Sequence, residues 1–378
     1  MERRTRYSPA MRKKRKGKNK AAEVAKRVGV SLSTVSRALA GSRLISEETR
    51  RLVREAAESL NYHVDAAGSS LRTGLTRTIG VVIPLAHAAK QNLSDPFFLE
   101  ILGALADELF ASGYSMLLHK VTDDPTDWIA NIARGRRTDG VIVIGQSLYH
   151  EALNEAAAAD FPMVVWGNQM KDQRYISVGS DNEAGGRAAT AHLLAQGCRH
   201  VAFLGDPGAP EVAARLEGYA KALRDAGIQR NSQLEMAVRF GSDTAYHAMA
   251  SLIDAGVEID GVVACSDVFA MSAMRAVLER GRKVPADVAI VGFDDIPFAA
   301  YTTPPLTTIR QNCHVGARLM VDKLMRAMRH ESNVSAVIPT ELVVRASSLR
   351  EHYRALPAIP TAKPVTPTAA RGRKVKAG

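Results

Sequence analysis

Between residues 21 and 62, apolar residues recur at helical spacing in three short blocks. Val24, Ala25 and Val28 mark the first, and Gly29 follows where a chain reversal at positive φ costs least. Ser31 is placed to cap a second helix in which Val35, Ala38 and Leu39 face inward, leaving Leu32, Ser33, Thr34, Ser36 and Arg37 outward. Ser46, with Glu47 and Glu48 behind it, is placed to open a third. Its stripe is Leu52, Val53, Ala56, Ala57 and Leu60, with Arg50, Arg51 and Arg54 outside. A block of this size has a small core, yet it can fold. Two helices around a glycine turn, the second offering short hydroxyls and a guanidinium, suit phosphates and base edges in the DNA major groove.

From Thr78 the pattern changes to short apolar runs separated by helical stretches. Runs 78–84, 114–119, 139–145 and 162–166 alternate with helices expected near 97–112, 126–134 and 149–159. A second series, 200–205, 238–240, 261–265 and 288–293, alternates with helices near 183–196, 212–226, 243–255 and 266–280. Continuous apolar strands between helices predict parallel sheets covered on both faces, here as two Rossmann-like lobes in succession. In such sheets ligands sit beyond the strands' carboxyl ends, so the loops there are expected to ring one cleft.

Charge adds one refinement. The 378 residues carry a formal +11, but residues 1–20 hold +9 and residues 363–378 hold +5, leaving the other 342 at −3. Basic ends on a slightly acidic body point to polyanion contact by arms that are too charged to fold alone. Cys198, Cys265 and Cys313 show no metal-ligand or CxxC spacing and read as buried reduced thiols, consistent with a cytoplasmic protein. No metal or cofactor is expected. No run approaches membrane-spanning length, and no apolar signal core follows the basic start. An enzyme reading finds little support: the first strand leads into IPLAHAAKQN without a GxGxxG, no P-loop occurs, and no catalytic set recurs at the strand ends.

The run GVSLSTVSRALAGSRLISEETRRLVREAAESLNY, then LRTGLTRTIGVVIP, VGFDD and PPLTTIRQN, resembles the lactose-repressor/galactose-repressor (LacI/GalR) family of transcription regulators, with similarity to about residue 350. That resemblance implies an all-α helix-turn-helix headpiece joined to an α/β core of the periplasmic-binding-protein type I fold, whose chain crosses between lobes three times. It divides the chain into a basic arm (1–18), the DNA-binding domain (19–62), a hinge (63–77), an effector-binding and dimerisation region (78–350) and a basic tail (351–378). It implies DNA contacts from Leu32, Ser33, Thr34, Ser36 and Arg37, and a minor-groove wedge at Leu71. Ligand contacts are implied for Arg215, Asp294, Ser266, Asp267, Gln311 and Phe240, and on the first lobe for Asp95 and Phe97. Each has a plainer reading too: Asp95 and Asp267 as helix caps, Phe240 and Trp166 as core.

Departures from the family pattern shape the expectations. Gly167 stands where the family often has a ligand-contacting aspartate, so Trp166 and Asn168 are expected to take over by stacking and an amide. Gln91 and Asn92 add amides at the rim, which suits a mono- or oligosaccharide better than a nucleobase or an anion. In the hinge, Asp65 can still cap, while Gly68 costs a helix about 1 kcal/mol relative to alanine, making operator DNA more necessary for its folding. The tail carries no leucine heptads, so a homodimer on a palindromic operator is expected. The function implied is a sugar-released repressor of carbohydrate-utilisation genes. Alternatives are a corepressor-dependent regulator with a non-sugar ligand, a solute-binding module, and a nucleoid-type architectural protein.

Overall fold

In the computed structural model the described residues are 20–39, 42, 44–62, 75–84, 93–121, 132, 135, 137–146 and 149–350. The arm, the tail, Leu71 with the rest of 63–74, and Gln91 and Asn92 lie outside them, as does almost all of the helix expected at 126–134.

Helix α1 covers residues 20–28, α2 Leu32–Leu39 and α3 Glu47–Ser59. Val24, Ala25, Val35, Ala38, Val53, Ala56 and Ala57 are buried together, so the helical stripes converge on one small core. Gly29 adopts φ +72°, the left-handed turn the sequence asks for. Ser46 caps α3 by accepting from the Thr49 N–H at 3.2 Å. One position departs from expectation: Leu52 is 41% exposed, because Val53, Ala56 and Ala57 already fill the inward arc. Arg50 is only half exposed, paired with Glu47 one turn back.

Among the described residues two compact units share the chain: those up to Gly179 with Cys313–Ile338, and Ser180–Asn312 with 339–350. The chain therefore passes between them three times. The first unit holds a six-stranded sheet in the order β11-β5-β4-β3-β1-β2. Its strands are β1 (Thr78–Pro84), β2 (Ser115–Val121), β3 (Gly140–Ile144), β4 (Met163–Trp166), β5 (Ile176–Ser180) and β11 (Ala336–Ile338). Helices α4 (Pro96–Ala111), α5 (His150–Ala158) and α10 (Cys313–Met328) belong to the same unit. Ile79, Val81 and Ile83 of β1 pack into one core with Leu105 of α4 and Leu324 of α10, while Val82 joins Leu153 of α5 in another. Both faces are thus covered, as the continuous apolar strands require.

The second unit repeats the plan in the order β12-β10-β9-β8-β6-β7. These are β6 (Val201–Leu204), β7 (Glu235–Met236), β8 (Gly261–Ala264), β9 (Ala289–Asp294), β10 (Thr307–Arg310) and β12 (Glu341–Val343). Helices α6 (Asn182–Ala195), α7 (Pro210–Asp225), α8 (Ser242–Asp254) and α9 (Asp267–Glu279) accompany them. The pairings β6–β7, β6–β8, β8–β9 and β9–β10 are parallel; β10–β12 is antiparallel.

Two strand expectations need correction. The strand expected at 238–240 is displaced to Glu235–Met236. Val238 does turn inward, but its N–H makes only a 3.4 Å bond to Gly205 O, so the ladder ends before the apolar residues do. Strands β5 and β10 were not expected, because ISVGS and TTIR carry too many small polar residues to stand out as apolar runs. All three cysteines are buried and free, and burial pushes the Cys198 thiol up to about 11.

Candidate DNA-binding face and effector site

The second helix of the headpiece presents the expected residues outward. Leu32 is 54% exposed, Ser33 and Arg37 are exposed, and Thr34 and Ser36 are half-buried, while Val35 and Ala38 hold the helix down. Ser31 accepts from the Thr34 N–H at 3.1 Å, and its hydroxyl lies 2.7 Å from that of Ser33 and 2.9 Å from that of Thr34. Three hydroxyls thus gather at a helix N-terminus, where backbone N–H groups favour a phosphate.

In the second lobe the decisive side chain is Arg215. Glycines bring it there: a Cβ on Gly186 would stand 2.1 Å from Arg215 O, and one on Gly218 would stand 2.0 Å from Glu183 O. Helices α6 and α7 therefore meet backbone to backbone, which carries Arg215 into the interior. Its Nε donates to Asn182 Oδ1 at 2.9 Å, an Nη donates to the Cys265 carbonyl, and its Cζ lies 3.6 Å from the centroid of the Phe293 ring. Burial lowers its pKa, against the opposing field of Asp294 and its acidic neighbours.

Asp294 ends β9 at φ 123° and Asp295 follows at φ 58°, both in territory that L-residues avoid. The two carboxylates part company there. Asp294 accepts from Gln311 Nε2 at 2.7 Å, while Asp295 accepts from Arg310 and Arg345, each at 2.7 Å. Arg215, Asp294 and Gln311, all expected ligand residues, are all buried, and the field of Asp294 is felt at the Arg215 guanidinium. Ser266 caps α9, accepting from the Phe269 N–H at 3.2 Å. Phe240 lies half-buried with its ring 5.6 Å from that of Phe269.

Asp267 corrects an expectation. Its side chain is completely buried, accepts from the Thr308 hydroxyl at 2.5 Å and the Ile296 N–H at 2.9 Å, and stands where a Cβ on Gly292 would come within 2.2 Å. It braces the turn after β9, and Ser266, not Asp267, is the cap of α9. Burial, only partly offset by those bonds, pushes its pKa up to about 7.

The first lobe has its own set at the carboxyl ends of β3 and β4. Trp166 is core, packed 6.3 Å from the half-buried Phe97 ring, and a Cβ on Gly316 would stand 2.3 Å from its six-membered ring. Asp95 caps α4 through the Phe97 N–H at 3.0 Å, and burial raises its pKa. Gln146, absent from the sequence expectations, explains Gly167: a Cβ there would meet the Gln146 amide at 2.7 Å. Gln146 Nε2 donates to Asn168 O at 2.5 Å and to Tyr175 Oη at 2.9 Å. Asn168 therefore enters this network through its backbone carbonyl. Asn182 and Phe293 were also missed; Asn182 follows β5, a strand with no apolar signal, and Phe293 looks like any core residue in an apolar run.

Residues 21–65 match the family described as bacterial regulatory proteins, lacI family, and residues 190–348 match the periplasmic binding protein-like domain. The HTH-type transcriptional repressor PurR of Pasteurella multocida (strain Pm70) is 32% identical over 336 residues, covering 86% of this chain and 97% of that protein. The chain belongs to the LacI family of transcriptional regulators. Among solved structures, the transcriptional regulator CelR in complex with cellobiose is 30% identical with a TM-score of 0.65, covering 86% of this chain and 99% of the other. The lac repressor dimer bound to operator and the anti-inducer ONPF is 26% identical with a TM-score of 0.74, covering 86% and 98%. This LacI-family chain is accordingly a DNA-binding regulator in a family of repressors. Among the described residues no helix is long and apolar enough to cross a membrane.

Proposed function

We propose that this protein is a homodimeric repressor of carbohydrate-utilisation genes whose hold on a palindromic operator is released by a mono- or oligosaccharide. The observation that carries the reading is the buried polar group of Arg215, Asp294 and Gln311 at the carboxyl edge of the second sheet. A guanidinium fork, a carboxylate and an amide give donors and acceptors matched to vicinal hydroxyls. The half-buried Phe240 ring, on the same lobe, supplies a flat face for the apolar side of a sugar ring, and Ser266 completes the contacts proposed there. For the first lobe taken by itself, Asp95, Phe97 and Asn168 are the proposed contacts, with Trp166 supporting Phe97 from the core. Leu32, Ser33, Thr34, Ser36 and Arg37 are the proposed DNA contacts of the headpiece, with Leu71 in the minor groove.

Dimerisation has apolar surface available: Phe110 of α4 is 84% exposed, with Leu99 and Leu118 also exposed on the first lobe and Leu278, Phe298 and Tyr301 on the second. A ligand shifts DNA affinity only by as much as it prefers one of two conformations, and by linkage operator changes ligand affinity by the same factor.

The test is a gel shift on the duplex that the protein enriches from a random pool, with and without cellobiose, glucose, galactose, ribose and hypoxanthine. Release by a sugar supports the reading. A complex tightened by ligand assigns the corepressor mechanism instead, and a response to hypoxanthine alone discards the sugar.

A further inference from the structure

Two aspartates hold equivalent places in the two lobes. Asp139 and Asp260 each precede a Gly-Val pair that opens a strand, β3 in one lobe and β8 in the other. Each directs its carboxylate at the backbone leading into the neighbouring strand. Asp260 accepts from the Arg199 N–H at 2.8 and 3.0 Å and from the His200 N–H at 2.8 Å, just ahead of β6. Asp139 accepts from the Thr76 N–H at 2.6 Å, the Thr76 hydroxyl at 2.9 Å and the Arg77 N–H at 2.7 Å, just ahead of β1.

The chemistry is shared and the consequence is not. Asp260 fastens a connection inside its own lobe, where α6 ends at Ala195 and β6 begins at Val201. Asp139 fastens the last residues of the segment 63–77, the one covalent route from the DNA-binding helices to the rest of the chain. Arg77 is held at φ 51°, a conformation that an L-residue leaves when nothing compensates. A carboxylate accepting backbone N–H groups makes the strong, charge-assisted kind of bond that can hold it there. The Ser115 N–H, donating to Arg77 O at 2.9 Å, fixes the other side of the same residue.

We infer that Asp139 is a positioning residue for operator recognition: its carboxylate sets the direction of the chain at Thr76–Arg77, where the segment that joins the DNA-binding helices to the lobe enters β1.

The test uses the full-length chain and two duplexes, the sequence it enriches from a random pool and a scrambled duplex of equal length, at one salt concentration. D139A and D260A are compared after correction to equal folded fraction. D139A is expected to lose at least tenfold on the enriched duplex while staying within twofold on the scrambled one, and D260A to stay within twofold on both. D139N falls between, because one oxygen still accepts from Thr76 while the amide nitrogen cannot accept from Arg77. Arg77→Gly relieves the positive φ while its N–H still reaches the carboxylate, so it keeps the parent's preference between the duplexes, and D139N serves if D139A does not fold. Equal losses in D139A and D260A, a parallel loss on both duplexes, or unchanged preference in D139N overturn the assignment.

Discussion

Arg215 concentrates the chemistry of the second lobe in one side chain. It is buried, spans Asn182 and the Cys265 carbonyl, and lies flat on Phe293. Only a planar fork does all three, so Arg215→Lys should fail almost as completely as Arg215→Ala. Either variant is expected to weaken binding of the releasing sugar at least hundredfold, about 3 kcal/mol, as measured by calorimetry. Ligand affinity within threefold of the parent would remove Arg215 from the site. Asp267 makes a different prediction. Its pKa is raised to about 7 by burial, so folding favours the protonated acid. That contribution is full below the ordinary carboxylate pKa and is lost as pH climbs toward 7. Asp267→Asn cannot ionise, so its melting temperature relative to the parent should improve steadily from pH 4 to pH 7. A constant difference across that window would count against the assignment.

At the scale of elements, close approach explains what residue type alone does not. The position after β4, 167, is a glycine because the Gln146 amide, following β3, occupies the space a Cβ would need. Gly167→Ala should cost about 1–3 kcal/mol in chemical denaturation. Adding Gln146→Ala should recover part of that loss, since the two residues compete for one volume. Strict additivity in the double variant would mean that the contact is not the cause. Helices and long apolar strands were legible because periodicity and length are properties of a window of sequence. The small-residue strand β5 and the two-residue β7 were not, because pairing with a neighbour, not their own composition, makes them strands. Leu52 shows the same limit: the stripe marks a face, but the partner helices decide how wide an arc is covered.

For the whole molecule, charge sits at the ends. Residues 1–20 carry +9 on a body that is slightly negative. Deleting residues 1–18 should make the dependence of log affinity on log salt shallower by several units while leaving preference among duplexes unchanged. An unaltered slope would exclude the arm from DNA contact. The sequence by itself determined the helix-turn-helix, the succession of two α/β lobes and the presence of Arg215, Asp294 and Gln311, because these rest on periodicity and on motifs that lie close together along the chain. Only the tertiary structure decided that Asp267 is a brace, that Asn182 and Phe293 hold the guanidinium, and that Gln146 takes the room left at Gly167. These are contacts between segments 21 to 78 residues apart, and which atoms share a buried volume is set by how backbones approach, not by the residues read one after another.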